Sequence, residues 1–210
     1  LEDSRTTKQI TFEPVTETYW ADMGKVWPNG HQQAGEPIML RDYQVDAINK
    51  FLTNTQALQE IATGAGKTIT TATLSHLAEK YGRTITIVPN KSLVEQTEED
   101  FINVGLDVGV YYGDRKNLDK THTICTWQSL NIFDKKSKNH EYAIMSLAEF
   151  LADVKTVIVD EVHMAKADVL KNLLTQNLCN APVRWGLTGT VPKGDYESEP
   201  IFASIGPVVG

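Results

Sequence analysis

The segment Ala62-Thr63-Gly64-Ala65-Gly66-Lys67-Thr68 decides how the rest of this sequence is interpreted. It follows the short stretch 57–61, which predicts a strand, and precedes a run that predicts a helix over roughly 67–80. Glycines permit backbone angles that other residues avoid, so successive N–H groups can point into the loop beside the positive end of the helix. The segment therefore predicts a phosphate-binding loop formed by Thr63, Gly64, Ala65, Gly66, Lys67 and Thr68. In it, Lys67 reaches the β- and γ-phosphates and the Thr68 hydroxyl holds a magnesium ion.

This loop departs from the general phosphate-loop pattern at one position. That pattern has a glycine five residues before Gly66, where this sequence has Ile61. The alternative interpretation, a glycine-rich turn with a surface lysine, becomes weak once a second motif of the right chemistry is found in the chain.

The second motif is Val157-Ile158-Val159-Asp160-Glu161-Val162-His163. An apolar, β-branched run of this kind is typical of a parallel strand covered on both faces, and it delivers two carboxylates to the carboxyl edge of the sheet. We predict that Asp160 binds the magnesium ion, and that Glu161 orients and deprotonates the attacking water. Solvated charges at a strand end are the alternative for this pair. His163 either links hydrolysis to neighbouring motifs or bonds only locally.

The order of the predicted elements defines the fold class. Strands alternate with helices from about residue 40 onward, which predicts an α/β domain with a mostly parallel sheet and helices on both faces. Residues 1–35 lack sustained periodicity, although Gln9-Ile10-Thr11-Phe12-Glu13 alternates like one strand. They are expected to be an N-terminal extension packed on or leading into the main domain, 36–210. Within that domain we expect a polar loop over 134–140 and a helix over 142–151.

Composition excludes several classes of protein. The chain has 210 residues, of which 41% are hydrophobic, so it can bury a core, and no apolar run approaches a membrane span. A net charge of −7 argues against a protein that coats nucleic acid with a basic surface. Cys125 and Cys179 are too few for a disulfide framework and are expected to be buried free thiols in a reducing cytoplasm.

Six segments in chain order resemble the motifs of the superfamily-two DExH helicases and translocases, whose lobes are RecA-like P-loop NTPase domains. The phosphate loop and Asp160-Glu161-Val162-His163 resemble motifs I and II of that family. Four further segments resemble its other motifs: Leu40-Arg41-Asp42-Tyr43-Gln44, Ile87-Val88-Pro89-Asn90-Lys91-Ser92-Leu93, Thr126-Trp127-Gln128-Ser129 and Gly186-Leu187-Thr188-Gly189-Thr190. Within the family, the combination is most similar to phage UvsW-type recombination and repair DNA helicases.

The resemblance implies roles for residues outside the two phosphate motifs. Gln44 would bond the adenine edge, as an amide can do with two hydrogen bonds, and Arg41 would pack near the base. The nucleic-acid path would run along Lys91, Ser92, Trp127, Gln128 and Ser129, and His163, Thr188 and Thr190 would couple it to the nucleotide site. Alternatives stay open: Gln44 as an exposed helix residue, Trp127 as a core aromatic, and the two threonines as turn formers.

The resemblance also implies partners and an activity. The expected function is the first motor lobe of an ATP-dependent DNA helicase or translocase in DNA repair or recombination, using ATP and Mg²⁺ in a bacterial or phage-infected cytoplasm. A second RecA-like lobe would supply arginine fingers, so we expect this chain by itself to hydrolyse ATP poorly. The alternatives are an RNA helicase lobe, or a non-motor docking module for nucleic acid with a vestigial nucleotide site.

Overall fold

The computed structural model describes residues 9–62, 66–165, 167–189 and 205–209. The strands of this part of the chain are β1 (Gln56–Glu60), β2 (Arg83–Val88), β3 (Val108–Tyr112), β4 (Arg115–Lys116), β5 (His122–Thr126), β6 (Val154–Val159) and β7 (Val183–Thr188). Its α-helices are α1 (Asp42–Leu52), α2 (Lys67–Ala78), α3 (Lys91–Asn103), α4 (Trp127–Lys138), α5 (Leu147–Leu151) and α6 (Ala167–Thr175). Short 3-10 turns occupy Ala21–Met23, Glu79–Tyr81 and Val162–Met164.

These strands form one sheet in the order β1-β7-β6-β2-β5-β3-β4. Every neighbouring pair is parallel except β3 and β4, which are antiparallel. Outside β1, the segment 205–209 continues the pairing: the Leu58 N–H donates to Pro207 O and Leu58 O accepts from the Val209 N–H. The predicted α/β class with a mostly parallel sheet is confirmed.

Apolar residues divide between the two faces of the sheet because successive side chains of a strand point to opposite sides. On β6, Ile158 belongs to one buried cluster, whereas Val157 and Val159 belong to the other. The first cluster is covered by α1, α2 and α3, through side chains such as Ile48, Phe51, Leu74, Val94 and Phe101. The second is covered by α4, α5 and α6, through Leu130, Phe133, Phe150 and Leu170 among others. The helices thus lie on both faces, as the sequence predicts.

The segment before α1 packs on the face covered by α1 to α3. Trp20 is fully buried, and its indole N–H donates to the Thr73 hydroxyl of α2 at 2.9 Å. The side chain of Asn49 on α1 bonds both backbone groups of Val15, at 2.8 and 3.0 Å. These contacts attach residues 15–20 to α1 and to α2, the helix that follows the phosphate loop.

The structure corrects four local expectations. The stretch 9–13, which alternates like a strand, has no regular secondary structure. The predicted polar loop over 134–140 is mostly the end of α4, because Leu130 and Phe133 anchor that helix and its lysines face the negative helix C-terminus. The predicted helix over 142–151 begins only after Ser146, whose hydroxyl accepts the Glu149 N–H. Cys179 is exposed rather than buried.

Within the described residues, no helix is long and apolar enough to span a membrane.

Candidate nucleotide-binding site

The carboxyl edge of the sheet gathers the motifs that the sequence singles out. Side by side along this edge lie the ends of β1, β7, β6, β2 and β5, in that order. They lead into the phosphate loop, Gly189, Asp160, Asn90 and Trp127, respectively. Segments that are far apart in the sequence therefore meet at one edge, where parallel sheets bind their ligands.

Lys67 is the cation of the site. It is the first residue of α2 and its side chain is buried. Its ammonium group donates to Glu161 Oε1 and lies 3.1 Å from Asp160 Oδ1. The structure thus brings together the three residues to which the sequence assigns catalysis.

Asp160 is a buried carboxylate with an incompletely bonded oxygen. Its backbone N–H donates to Ile87 O at 2.9 Å, which extends the pairing of β6 with β2 by one residue. The contact of Oδ1 with Lys67 is an ion pair without hydrogen-bond geometry, and no described group donates a hydrogen bond to this atom. Burial raises the pKa of Asp160 above its ordinary value, although the Lys67 charge opposes that shift.

Glu161 adopts a strained backbone conformation. Its φ and ψ are both 51°, in the left-handed region that costs a residue with a side chain about 1–2 kcal/mol. The side chain is buried, and its Oε1 accepts the Gly189 N–H at 3.2 Å as well as the Lys67 ammonium group. Strain of this kind persists where surrounding contacts hold it, and functional sites are where it concentrates.

Gln44 lies against the phosphate loop and is not the exposed helix residue of the alternative interpretation. It is 4% exposed. Its Oε1 accepts the Arg41 N–H at 2.8 Å and caps α1, while its Nε2 donates to Gly66 O at 3.1 Å. Both amide atoms are therefore used internally, whereas the Arg41 side chain is exposed.

Thr68 makes a contact that the sequence does not predict. Its hydroxyl donates to Asp100 Oδ2 on α3. Burial raises the pKa of Asp100, while the hydrogen bond from Thr68 lowers it. Nothing in the sequence pattern distinguishes Asp100 from Glu98 and Glu99 beside it, since all three are carboxylates of a charged helix.

Two of the predicted coupling residues touch each other. His163 Nδ1 lies 2.6 Å from the Thr188 hydroxyl, which joins the turn after β6 to the end of β7. The backbone around them is also connected, because the Ile61 N–H donates to Thr188 O at 2.8 Å. The end of β1, the end of β7 and the turn after β6 therefore form one bonded unit.

The predicted nucleic-acid residues lie in the first turns of two adjacent helices. Residues Val88 and Thr126 are register partners at the ends of β2 and β5, so α3 and α4 begin side by side. Lys91, Ser92 and Gln128 are exposed, and Ser129 bonds to Thr126. Trp127 is half-buried against the apolar cluster of the α4 side, as the core alternative predicts. Its indole nitrogen is buried without a hydrogen-bond partner among the described residues.

Four predicted site residues lie outside the described residues: Thr63, Gly64, Ala65 and Thr190. Gly66, the last glycine of the loop, is described and has a φ of 72°. A side chain there would be strained, and its Cβ would lie 2.2 Å from Gln44 Nε2, so this position requires glycine.

The three-layer fold and the adjacency of Lys67, Asp160 and Glu161 define a RecA-like P-loop lobe of the superfamily-two helicases, and the family comparison agrees. Residues 37–193 match the family described as Type III restriction enzyme, res subunit, and the chain belongs to this family. The resemblance inferred from the motifs is thus confirmed.

Two relatives of this chain are named as DNA helicases. The chain is 29% identical over 181 residues to the DNA 3'-5' helicase XPB of Mycobacterium tuberculosis, covering 84% of this chain and 30% of that protein. It is 24% identical over 163 residues to the ATP-dependent DNA helicase uvsW of Enterobacteria phage T4, covering 72% of this chain and 30% of the relative. The chain thus spans less than a third of the length of these relatives.

A solved structure shows the same fold. The crystal structure of the UvsW helicase from Bacteriophage T4 superposes with a TM-score of 0.70 at 19% sequence identity. The match covers 95% of this chain and 69% of that one.

Proposed function

We propose that this chain is the ATP-binding first motor lobe of an ATP-dependent DNA helicase or translocase acting in DNA repair or recombination. The observation that carries the proposal is the contact of Lys67 with both Asp160 and Glu161 at the start of the phosphate-loop helix. The helicase names of the relatives support the choice of a DNA motor over other phosphate-loop enzymes.

The residues present fit a magnesium ion. Mg²⁺ prefers oxygen ligands and is usually held by one or two carboxylates together with substrate phosphates. Here the candidate ligands are the Thr68 hydroxyl and Asp160 Oδ1, a buried oxygen that receives no hydrogen bond from any described group. Bound at these residues, the ion would neutralise charge on the phosphates.

In the nucleotide-bound state we assign each remaining side chain one task. Lys67 leaves the carboxylates and contacts the β- and γ-phosphates, which releases Glu161 Oε1 to orient and deprotonate water. Asp160 would hold the metal ion. Gln44 reads the adenine edge by exchanging its bonds to Arg41 and Gly66 for bonds to the base. Loop amides from Thr63 to Gly66 cradle the phosphates.

Nucleic acid would cross the first turns of α3 and α4. Helix N-termini and exposed polar side chains bind phosphates without reading sequence, which suits a motor that moves along any strand. Lys91, Ser92 and Gln128 are accessible for such contacts. The bonded pair of His163 and Thr188 would transmit the state of the nucleotide to this surface. A second RecA-like lobe would complete the motor, and the cytoplasmic location stays a prediction.

Nucleotide binding and hydrolysis test the proposal in Lys67→Ala and Glu161→Gln variants of the intact protein, which would include the second lobe. Lys67→Ala should weaken binding of a fluorescent ATP analogue at least about tenfold, because a charge-assisted contact to phosphate is lost. Glu161→Gln should keep that affinity but lower the hydrolysis rate by about 100-fold or more, because an amide cannot accept the proton from water. Lys171→Ala, an exposed lysine on α6, serves as the matched control.

The nucleic-acid part of the proposal needs its own measurement. Single-stranded DNA should bind the chain with an affinity that falls as salt rises, and Lys91→Ala should weaken DNA binding without changing nucleotide affinity. Preferential binding and stimulation by RNA of equal length would favour an RNA helicase. Unchanged nucleotide binding in Lys67→Ala would indicate a docking module and contradict the motor assignment.

A further inference from the structure

The threonine hydroxyls of α2 differ in where they donate. Those of Thr70, Thr71 and Thr73 donate to carbonyls of their own helix four residues earlier, at 3.2, 2.8 and 2.7 Å. This bonding is the usual behaviour of a threonine inside a helix. The Thr68 hydroxyl instead donates across to Asp100 on α3.

Asp100 is an unusual carboxylate for its helix. Glu98 forms an ion pair with Arg115, and Glu99 is exposed to solvent. Asp100 is only partly exposed, and no lysine or arginine of the described chain forms an ion pair with it. Withdrawing a carboxylate from water is unfavourable. For Asp100 that cost is offset first by the hydrogen bond from Thr68, and then by the charge of His31 and a side-chain hydrogen bond from Asn103.

We propose that Asp100 is a positioning residue that orients the Thr68 hydroxyl toward the magnesium ion. The inference rests on the proposed function, which makes Thr68 a metal ligand. A hydroxyl binds a cation through an oxygen lone pair, so its single hydrogen must point elsewhere. By accepting that hydrogen, Asp100 fixes the rotation of the hydroxyl and makes its oxygen a better ligand. Groups that hold a metal ligand in this way commonly change metal affinity when they are removed.

Binding of a fluorescent ADP analogue, titrated with Mg²⁺ and again in excess chelator, tests this role without measuring hydrolysis. In the unaltered protein, Mg²⁺ should tighten nucleotide binding. Asp100→Ala should reduce that tightening by about tenfold, while affinity in chelator stays the same. Asp100→Asn should retain more of the Mg²⁺-dependent tightening than Asp100→Ala, because the asparagine side-chain oxygen can still accept the hydrogen of the Thr68 hydroxyl. Glu99→Gln, the exposed neighbour on α3, should match the unaltered protein.

A double-mutant cycle with Thr68→Ala separates positioning from a structural effect. If Asp100 acts through the Thr68 hydroxyl, the double variant should behave as Thr68→Ala alone. The inference would be overturned if Asp100→Ala lowered nucleotide affinity equally with and without Mg²⁺, or if the losses of affinity were additive in the double variant. Either result would leave the proposed function intact. Absence of any Mg²⁺-dependent tightening in the unaltered protein would overturn the proposed function as well as the role of Asp100.

Discussion

Two polar clusters, each containing buried side chains, lie near opposite ends of α2, and they differ in how completely they are bonded. The amino-edge cluster consists of Ser75, Glu79, Thr84 and His122. His122 Nδ1 lies 2.6 Å from Ser75 Oγ and 2.9 Å from Thr84 Oγ1, and its Nε2 lies 2.8 Å from Glu79 Oε1. The two hydroxyls are also 2.6 Å apart. Each of these side chains therefore has a partner.

The carboxyl-edge cluster consists of Lys67, Asp160 and Glu161, roughly 12 Å away along the helix. It contains an oxygen without a hydrogen bond from the described residues and a glutamate with left-handed backbone angles. A serine–histidine–glutamate set such as the amino-edge cluster could suggest a catalytic triad, yet Ser75 is fully buried and no substrate reaches it. The carboxyl-edge cluster differs from the amino-edge cluster in combining a buried carboxylate oxygen that lacks a hydrogen bond from the described residues with a neighbouring glutamate in the left-handed region.

The largest effect on stability should come from His122→Leu. The substitution removes both nitrogens of a fully buried ring, so Ser75 and Thr84 keep only their bond to each other and Glu79 loses its imidazole partner. We expect the free energy of unfolding to fall by about 3 kcal/mol, with nucleotide affinity unchanged. Urea unfolding followed by titration with a fluorescent nucleotide measures both quantities. A loss of nucleotide affinity would contradict the separation of the two clusters.

Gly66→Ala should lower the free energy of unfolding by about 2 kcal/mol, because the alanine is strained at a φ of 72° and its Cβ displaces the Gln44 side chain. Nucleotide affinity should fall as well. Gly30→Ala is the matched control: its φ is 94° but an added Cβ meets nothing within 4 Å, so it should reduce stability through strain alone. The double variant Gly66→Ala/Gln44→Ala should lose less stability than the two single variants together, because removing the Gln44 side chain removes its clash with the new Cβ. Strictly additive stability losses would contradict that clash.

Local patterns were sufficient to predict the parts of the site that are contiguous in sequence. The glycine-rich loop precedes α2, and the run Val157-Ile158-Val159 forms the end of β6, because short-range sterics and apolar patterning determine those elements. The same reasoning missed most of α4. Its lysines predict a solvated loop, while the burial of Leu130 and Phe133 that stabilises the helix depends on tertiary packing.

Long-range features could not be predicted from the sequence. The bond from Thr68 to Asp100 joins residues 32 positions apart, and no spacing rule indicates it. The left-handed backbone of Glu161 depends on contacts with Lys67 and Gly189. The strand order likewise depends on how the helices cover the sheet, although the alternation of strands and helices was enough to predict its parallel character.

A smaller effect concerns the pH dependence of the amino-edge cluster. Burial lowers the pKa of His122 below its ordinary value of 6.5, although Glu79 and Asp107 oppose that shift and His76 adds to it. As pH falls below 6.5, the unfolded chain therefore binds the proton first, and stability decreases until the folded-state pKa is reached. We therefore expect the free energy of unfolding to decrease as pH falls below the ordinary value of 6.5. The corresponding slope in urea-derived free energies should be shallower in His122→Leu; an equal slope would contradict the assignment.

The smallest expected effect on stability is that of His163→Leu, the carboxyl-edge counterpart of His122→Leu. Both histidines bond a hydroxyl through Nδ1 at 2.6 Å, but His163 is exposed whereas His122 is fully buried. Because water can replace the bond from His163, the free energy of unfolding should fall by only about 0.5–1 kcal/mol. The loss should appear instead in the coupling between nucleotide and DNA binding, measured as the ratio of nucleotide affinities with and without single-stranded DNA. A stability loss as large as that of His122→Leu, with that ratio unchanged, would make His163 a structural residue and remove the functional contrast between the two edges.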